Sequence, residues 1–337
     1  MKGGPQTWDD FENEPVRVTR ACISFDGTRI AAVFADKTLR IYDATTGEVI
    51  LPPCKLAGNP WSVIFSPDGK LVASGGKALR LWNVETGEKV ESFNIRVYSL
   101  AFSPDGTCIA AGHRGRDIDE EDSDGRGSYH IRVINLELAK ASYFHAHMPS
   151  GGEGIKLLKG EVPPSPFEEH VSVAYSPDGK QIASSSRDGI VRVWEVSTGE
   201  SRTFDANNGI MEKWIYPVAF SPDGTKLVSE TTLINLSTGS CTPGAFRERF
   251  QVVSSIAFSA DGRFLALGFS GTAAFQIWDT STRRMIVQLV GHRGEVSSVD
   301  FFPDGKRIMS ASADGTIRVW DIDSVLLEEG PSEEMDG

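Results

Sequence analysis

Apolar and polar residues alternate along most of the chain in short runs, the period of half-buried β-strands. In the last repeat, residues 296–302 alternate and a turn follows at Pro303-Asp304-Gly305. Residues 307–312 form a second run, Asp314-Gly315 a second turn, and 316–321 a third run. Asp-Gly between apolar runs marks a tight hairpin, because glycine accepts the positive φ that such a turn requires. β-Branched residues fill the runs, and no segment carries a helical apolar period. The chain is therefore read as all-β.

One phrase recurs: an apolar run, then Ser-Pro-Asp-Gly or a close variant, then another apolar run. Its Asp-Gly pairs begin at Asp26, Asp68, Asp105, Asp178, Asp223, Asp261 and Asp304, with spacings of 42, 37, 73, 45, 38 and 43 residues. Five of the six spacings lie near the roughly 40–45-residue period of a propeller blade. The 73-residue step reads as one blade carrying insertions, since no further anchor lies inside it. The pattern predicts a seven-bladed β-propeller of four-stranded antiparallel blades over residues 6–327. Insertions are expected at about 114–128 and 143–169, and an acidic disordered tail at 328–337. The last repeat lacks a fourth strand after Asp321, so the N-terminal segment near Trp8 is expected to supply it and close the ring. In the fifth repeat, 227–236 has neither a turn Asp nor a Trp, which predicts a short outer hairpin.

The stretch Gly291-His292, Ser310, Asp314 and Trp320-Asp321 resembles the WD-repeat (WD40) family almost position for position, with a flavour similar to fungal WD-repeat proteins. The resemblance spans nearly the whole chain. It implies a structural network in which His292, Ser310, Asp314 and Trp320 satisfy one another inside the last blade. The fourth repeat keeps Ser184, Asp188 and Trp194, and others keep mainly the aromatic, as Tyr42, Trp82 and Trp278.

Charge narrows the function. A formal net charge of −12 argues against direct nucleic-acid binding. Cys22, Cys54, Cys108 and Cys241 form no CxxC pair, which fits reduced thiols inside the cell. Neither a signal peptide nor a membrane span is legible, so cytoplasm or nucleus is expected. The acidic insertion with Asp117, Asp119, Glu120, Glu121, Asp122 and Asp124 lacks the Gly and Glu placement of a calcium loop. It reads as a solvated loop, and 143–169, with its four prolines, as a long surface loop. His145 and His147 have no third ligand at a recognisable spacing. No nucleophile elbow, zinc helix, phosphate loop or dinucleotide fingerprint occurs. No catalytic residue, cofactor or metal is therefore expected.

The resemblance also implies a rim. Two positions per blade, nine and seven residues before the anchor Asp, and the residue before the second-turn Asp, line the narrow top face in this family. In this chain they include Arg17, Trp61, Arg96, Tyr98, Arg187, Trp214 and Tyr216. Trp, Tyr and Arg are the residues enriched at binding hot spots. The competing reading is that some of these rings pack within their own blades. The expected function is a non-enzymatic scaffold, a monomer or a subunit of a larger complex, gripping an acidic or phosphorylated partner segment. The alternatives are a small-molecule or glycan binder, or a hydrolase with a site assembled in the central channel.

Overall fold

The recurring phrase folds the same way each time. In the computed structural model of the protein, Ser24 Oγ donates to Asp26 Oδ1 at 2.6 Å, while the backbone N–H groups of Thr28 and Arg29 close onto Asp26 and Ser24. The same serine-to-aspartate bond recurs at Ser66–Asp68, Ser103–Asp105, Ser176–Asp178, Ser221–Asp223 and Ser259–Asp261. The serine hydroxyl, seconded by the backbone, holds these six carboxyls below the usual aspartate range. The glycine that follows takes the positive φ of the turn, +70° at Gly27. In the seventh repeat Phe302 replaces the serine and is fully buried, and Arg307 Nε bonds Asp304 instead.

The structure describes residues 6–8, 15–115, 128–137, 155–159, 172–185, 189–206, 217–247 and 251–324. They form seven four-stranded antiparallel sheets. The innermost strands are Val18–Ile23, Ser62–Phe65, Val97–Phe102, Ser172–Tyr175, Val218–Phe220, Val253–Phe258 and Val296–Phe301. Each touches the next, and the last touches the first, so the sheets close into a seven-bladed propeller. Blades are numbered here by these strands in chain order. The N-terminal strand Gln6–Trp8 pairs with Ile317–Asp321 in the register Gln6↔Val319 and Trp8↔Ile317, completing blade 7. Closure of this kind removes an open edge.

Blade 3 corrects one expectation. The sequence reads 143–169 as a long surface loop, yet Ile155–Lys159 pairs with Ser128–Asn135 as the blade's fourth strand. Pairing with a preformed edge, rather than local pattern, makes those five residues a strand. The rest of that insertion, with His145 and His147, lies outside the described residues, as do the acidic run 117–124 and the tail 328–337. In blade 5 the hairpin between Lys226–Ser229 and Thr232–Asn235 is short, with Glu230 at φ +53°.

The core is divided into seven apolar clusters, one at each seam between neighbouring blades. The residue facing the seam from each third strand is Tyr42, Trp82, Ile134, Trp194, Ile234, Trp278 or Trp320, and it packs against the preceding blade. Trp82, Trp194 and Trp320 donate to Ser74, Ser184 and Ser310 at 2.8–2.9 Å, while Trp278 uses Gln276. Buried indole N–H groups are thus satisfied in every blade that has one. Blade 5 has no such ring, and the fully buried Phe246 packs edge-on to Trp278 from outside its strands.

Two polar devices tie blades across the seams. A serine six residues before the anchor accepts an amide from the next blade: Ser99 from Val173, Ser172 from Val218, Ser255 from Val299 and Ser298 from Ala21. In the anchor turns, the proline of one blade lies against the glycine of the next. A Cβ on Gly27 would stand 3.1 Å from Pro303 Cδ, and Pro67, Pro104, Pro177 and Pro222 lie similarly against Gly106, Gly179, Gly224 and Gly262.

Candidate functional site on the top face

The top face is the end of the ring that carries the second turns and the loops entering the inner strands. Backbone pairing fixes its rim. The residue nine before the anchor offers its carbonyl to the second-turn region of its own blade: Ala35 N–H to Arg17 O, Ser270 N–H to Val252 O, and Ala313 N–H to Glu295 O. Two residues further on, four inner strands carry a β-bulge, between Val18 and Arg20, Val97 and Ser99, Val253 and Ser255, and Val296 and Ser298. The extra residues are Thr19, Tyr98, Ser254 and Ser297. A bulge re-aims the side chain it carries, so this column departs from the regular alternation of the strand.

Trp61 occupies the same column in blade 2, where its N–H bonds Gly75 O at 2.9 Å. Its ring stacks on Tyr98 of blade 3 with centroids 4.6 Å apart and planes 18° from parallel. Tyr98 is buried and Trp61 half-buried, so the indole caps the phenol across the seam. Arg96, two residues before Tyr98, is exposed. Arg17 is exposed too, and its guanidinium pairs with Glu295 across the seam between blades 1 and 7. The structure thus brings Arg17, Trp61, Arg96 and Tyr98 to one end of blades 1–3. Arg187, Trp214 and Tyr216 lie outside the described residues.

Sequence reasoning missed Arg20. Six residues before the anchor, where blades 2, 3, 4, 6 and 7 carry Ser62, Ser99, Ser172, Ser255 and Ser298, blade 1 carries an arginine. One more aligned column would have exposed it. Arg20 Nη1 donates to Thr19 O at 3.1 Å and Ser297 O at 3.0 Å. Burial, then the Arg17 charge, lower its pKa, and Glu295 only partly compensates. Below it, Asp300 Oδ2 accepts the Ile23 amide at 3.1 Å, and burial pushes this carboxyl up to about 6.

Blade 7 holds the polar network. Trp320 Nε1–H donates to Ser310 Oγ at 2.8 Å, and Ser310 Oγ lies 2.7 Å from His292 Nε2. His292 Nδ1 lies 3.1 Å from Asp314 Oδ2. Every partner is satisfied when Ser310 donates to Nε2 and the imidazole proton sits on Nδ1, facing the carboxylate. Burial alone would raise the Asp314 pKa, but bonds from His292, the Arg293 amide and Thr316 outweigh it and hold the carboxyl well below the usual range. These groups are enclosed, with His292 1 % and Asp314 9 % exposed at the side chain, and they act as structure. Among the described residues no group of three or more His, Cys, Asp or Glu is placed to hold a metal. None of the described helices is long and apolar enough to cross a membrane.

Seven four-stranded blades, a ring closed by the N-terminal strand and a His–Ser–Trp–Asp network define a WD-type β-propeller. The profile described as WD domain, G-beta repeat matches residues 11–43, 53–83, 87–118, 162–195 and 283–321, and the chain belongs to this family. Blade 5 and the three inner strands of blade 6 fall outside those matches. Among relatives, the WD repeat-containing protein SL1-17 of Schistosoma mansoni is 32 % identical over 167 residues, 46 % of this chain and 53 % of that protein. The target of rapamycin complex subunit wat1 of Schizosaccharomyces pombe is 26 % identical over 181 residues, 50 % and 57 % of the two chains. The nuclear distribution protein PAC1 of Coccidioides posadasii is 31 % identical over 170 residues, 43 % and 35 %. The chain spans about half the length, or less, of these curated relatives.

Proposed function

We propose that this propeller is a non-enzymatic protein–protein interaction scaffold that grips a peptide or loop of a partner on its top face. The Trp61–Tyr98 stack carries the reading. A half-exposed indole, held rigid by a buried ring from the next blade, offers large contact area at little entropic cost. Exposed Arg96 beside it supplies a planar donor for carboxylate or phosphate. The partner is accordingly an acidic or phosphorylated segment, met in the cytoplasm or nucleus. That the relative wat1 is named as a subunit of a complex supports a scaffold role.

Trp61→Ala is expected to weaken partner binding by about 2 kcal/mol, roughly 30-fold, as loss of a hot spot does. Affinity capture with wild type and variant, followed by titration of the recovered partner, measures this. Arg96→Ala should weaken binding most at low salt, because screening erodes the charge term at high salt. Undiminished capture by Trp61→Ala, or loss through unfolding alone, overturns the reading.

A further inference from the structure

The inner-strand column that ties the blades together is broken once by a charge. At this position a serine hydroxyl accepts the next blade's amide in blades 3, 4, 6 and 7. Pro217 stands there in blade 5 and Arg20 in blade 1. Arginine accepts no hydrogen bond, so Arg20 cannot do what the serines do. Its guanidinium instead turns to the carbonyls of Thr19 and Ser297, one on each side of the seam between blades 1 and 7. Both bonds come from a single nitrogen, Nη1. They fix the plane of the group and leave the edge formed by Nη2 and Nε to other partners. Among the described residues, no carboxylate stands within ion-pairing distance of Arg20; Glu295, whose charge acts on it, pairs with Arg17. A half-buried cation beside a second cation, oriented by carbonyls and, among the described residues, in no ion pair of its own, is a preorganised oxyanion site.

We propose that Arg20 is the specificity anchor of the top face, taking the carboxylate or phosphate of a partner segment whose neighbouring apolar residue lies on Trp61. This rests on the top-face reading above and adds the residue that reads the anion. Three consecutive blades carry the arrangement. Blade 1 gives Arg20, with Arg17 above it; blade 2 gives Trp61; blade 3 gives Tyr98 and Arg96. The inner strands of blades 1 and 2 are in contact, so guanidinium and indole rise from adjoining strands. A segment carrying an aromatic or proline a few residues from an anion spans that interval. Arg96, exposed, adds attraction at long range; Arg20, half-buried and fixed, discriminates at contact.

The test uses the full chain and a synthetic peptide array. Every member carries an aromatic residue and, one to four positions away, glutamate, phosphoserine or glutamine. Wild type is expected to bind some glutamate or phosphoserine members at least tenfold more tightly than their glutamine counterparts, and the better of the two anions identifies the source. Arg20→Ser, which installs the residue common in this column, should cut that ratio at least threefold, to the part that Arg96 supplies, while leaving the glutamine members' affinity unchanged. Arg20→Lys, which keeps the charge but not the fork, should leave an intermediate ratio and serves as the folded control. An anionic preference undiminished in Arg20→Ser overturns the assignment, as does the absence of any preference in wild type. Equal binding of the glutamine and anionic members, abolished by Trp61→Ala, would leave the top-face reading standing while this inference falls. Peptide binding indifferent to Trp61→Ala would sink both.

Discussion

Asp314→Ala removes one carboxylate that four donors share: His292 Nδ1 at 3.1 Å, the Arg293 amide at 2.7 Å, the Thr316 amide at 2.9 Å and Thr316 Oγ1 at 2.7 Å. The donors do not lose equally. Arg293 N–H is exposed and water replaces the lost acceptor, whereas the His292 side chain is only 1 % exposed and its Nδ1–H keeps a single neutral acceptor, Thr316 Oγ1 at 3.0 Å. Exchanging the carboxylate acceptor of that enclosed donor for a hydroxyl costs about 1–3 kcal/mol, and each of the two lost Thr316 bonds about 0.5–1 kcal/mol net. The expected loss is therefore about 2–5 kcal/mol. Asp36 is the equivalent turn acid of blade 1. It accepts from the Thr38 amide and hydroxyl and from Arg40, but no histidine faces it, and its side chain is 32 % exposed. Asp36→Ala should cost under about 1 kcal/mol, in line with exposed sites. Guanidinium unfolding followed by tryptophan fluorescence compares the two midpoints. Equal shifts would refute the claim that enclosure of the imidazole proton, rather than the turn itself, sets the value. The pH dependence adds a second check. The Asp314 carboxyl is held below its ordinary value, so its contribution is complete above a pH of about 3.9 and is lost as pH falls further. The gap between wild type and Asp314→Ala should close in acid.

Asp300 has the opposite sign. Its pKa is raised to about 6, so its ionisation penalises the fold above that pH and not below about 3.9. Asp300→Asn should gain stability over wild type between pH 4 and 7, as read from thermal midpoints across that range; a constant offset would contradict the assignment. Phe246→Ala should cost about 3–5 kcal/mol in denaturant unfolding, since the ring is fully enclosed against Trp278. Removing residues 1–8 should speed amide exchange along Ile317–Asp321 and promote self-association on gel filtration, because that strand becomes an edge; unchanged exchange would show that the pairing adds nothing.

The number of blades was legible because each carries a Ser-Pro-Asp-Gly turn whose chemistry is entirely local. Closure was legible as an absence, the missing fourth strand after Asp321. The outer strand of blade 3 was not, since Ile155–Lys159 is five residues among Gly and Pro and depends on an edge supplied by Ser128–Asn135. The rim shows the same division. Counting back from the anchors picks out Trp61 and Tyr98, but not that one ring buries the other, because the stack joins two blades. Arg20 was passed over because a single arginine in a strand reads as a solvated cation until the serines around it are seen to be bonding partners.

The seam between blades 1 and 2 differs from the rest of the ring. Arg20 stands where a serine would accept an amide of blade 2, and Phe25, 61 % exposed, stands where a proline would lie against Gly69, which has nothing within 4 Å of an added Cβ. Apolar packing, with Val33 and Ile41 against Phe65 and Trp82, holds the inner part of that junction without either tie. Further out, Arg29 pairs with Glu85 at 2.7 Å and Cys54 Sγ donates to Gly87 O at 3.3 Å, so the two blades are clasped at the circumference and not at the hub. A ligand bridging Arg20 and Trp61 would add at the hub of this junction the polar link between blades 1 and 2 that the serine column supplies elsewhere.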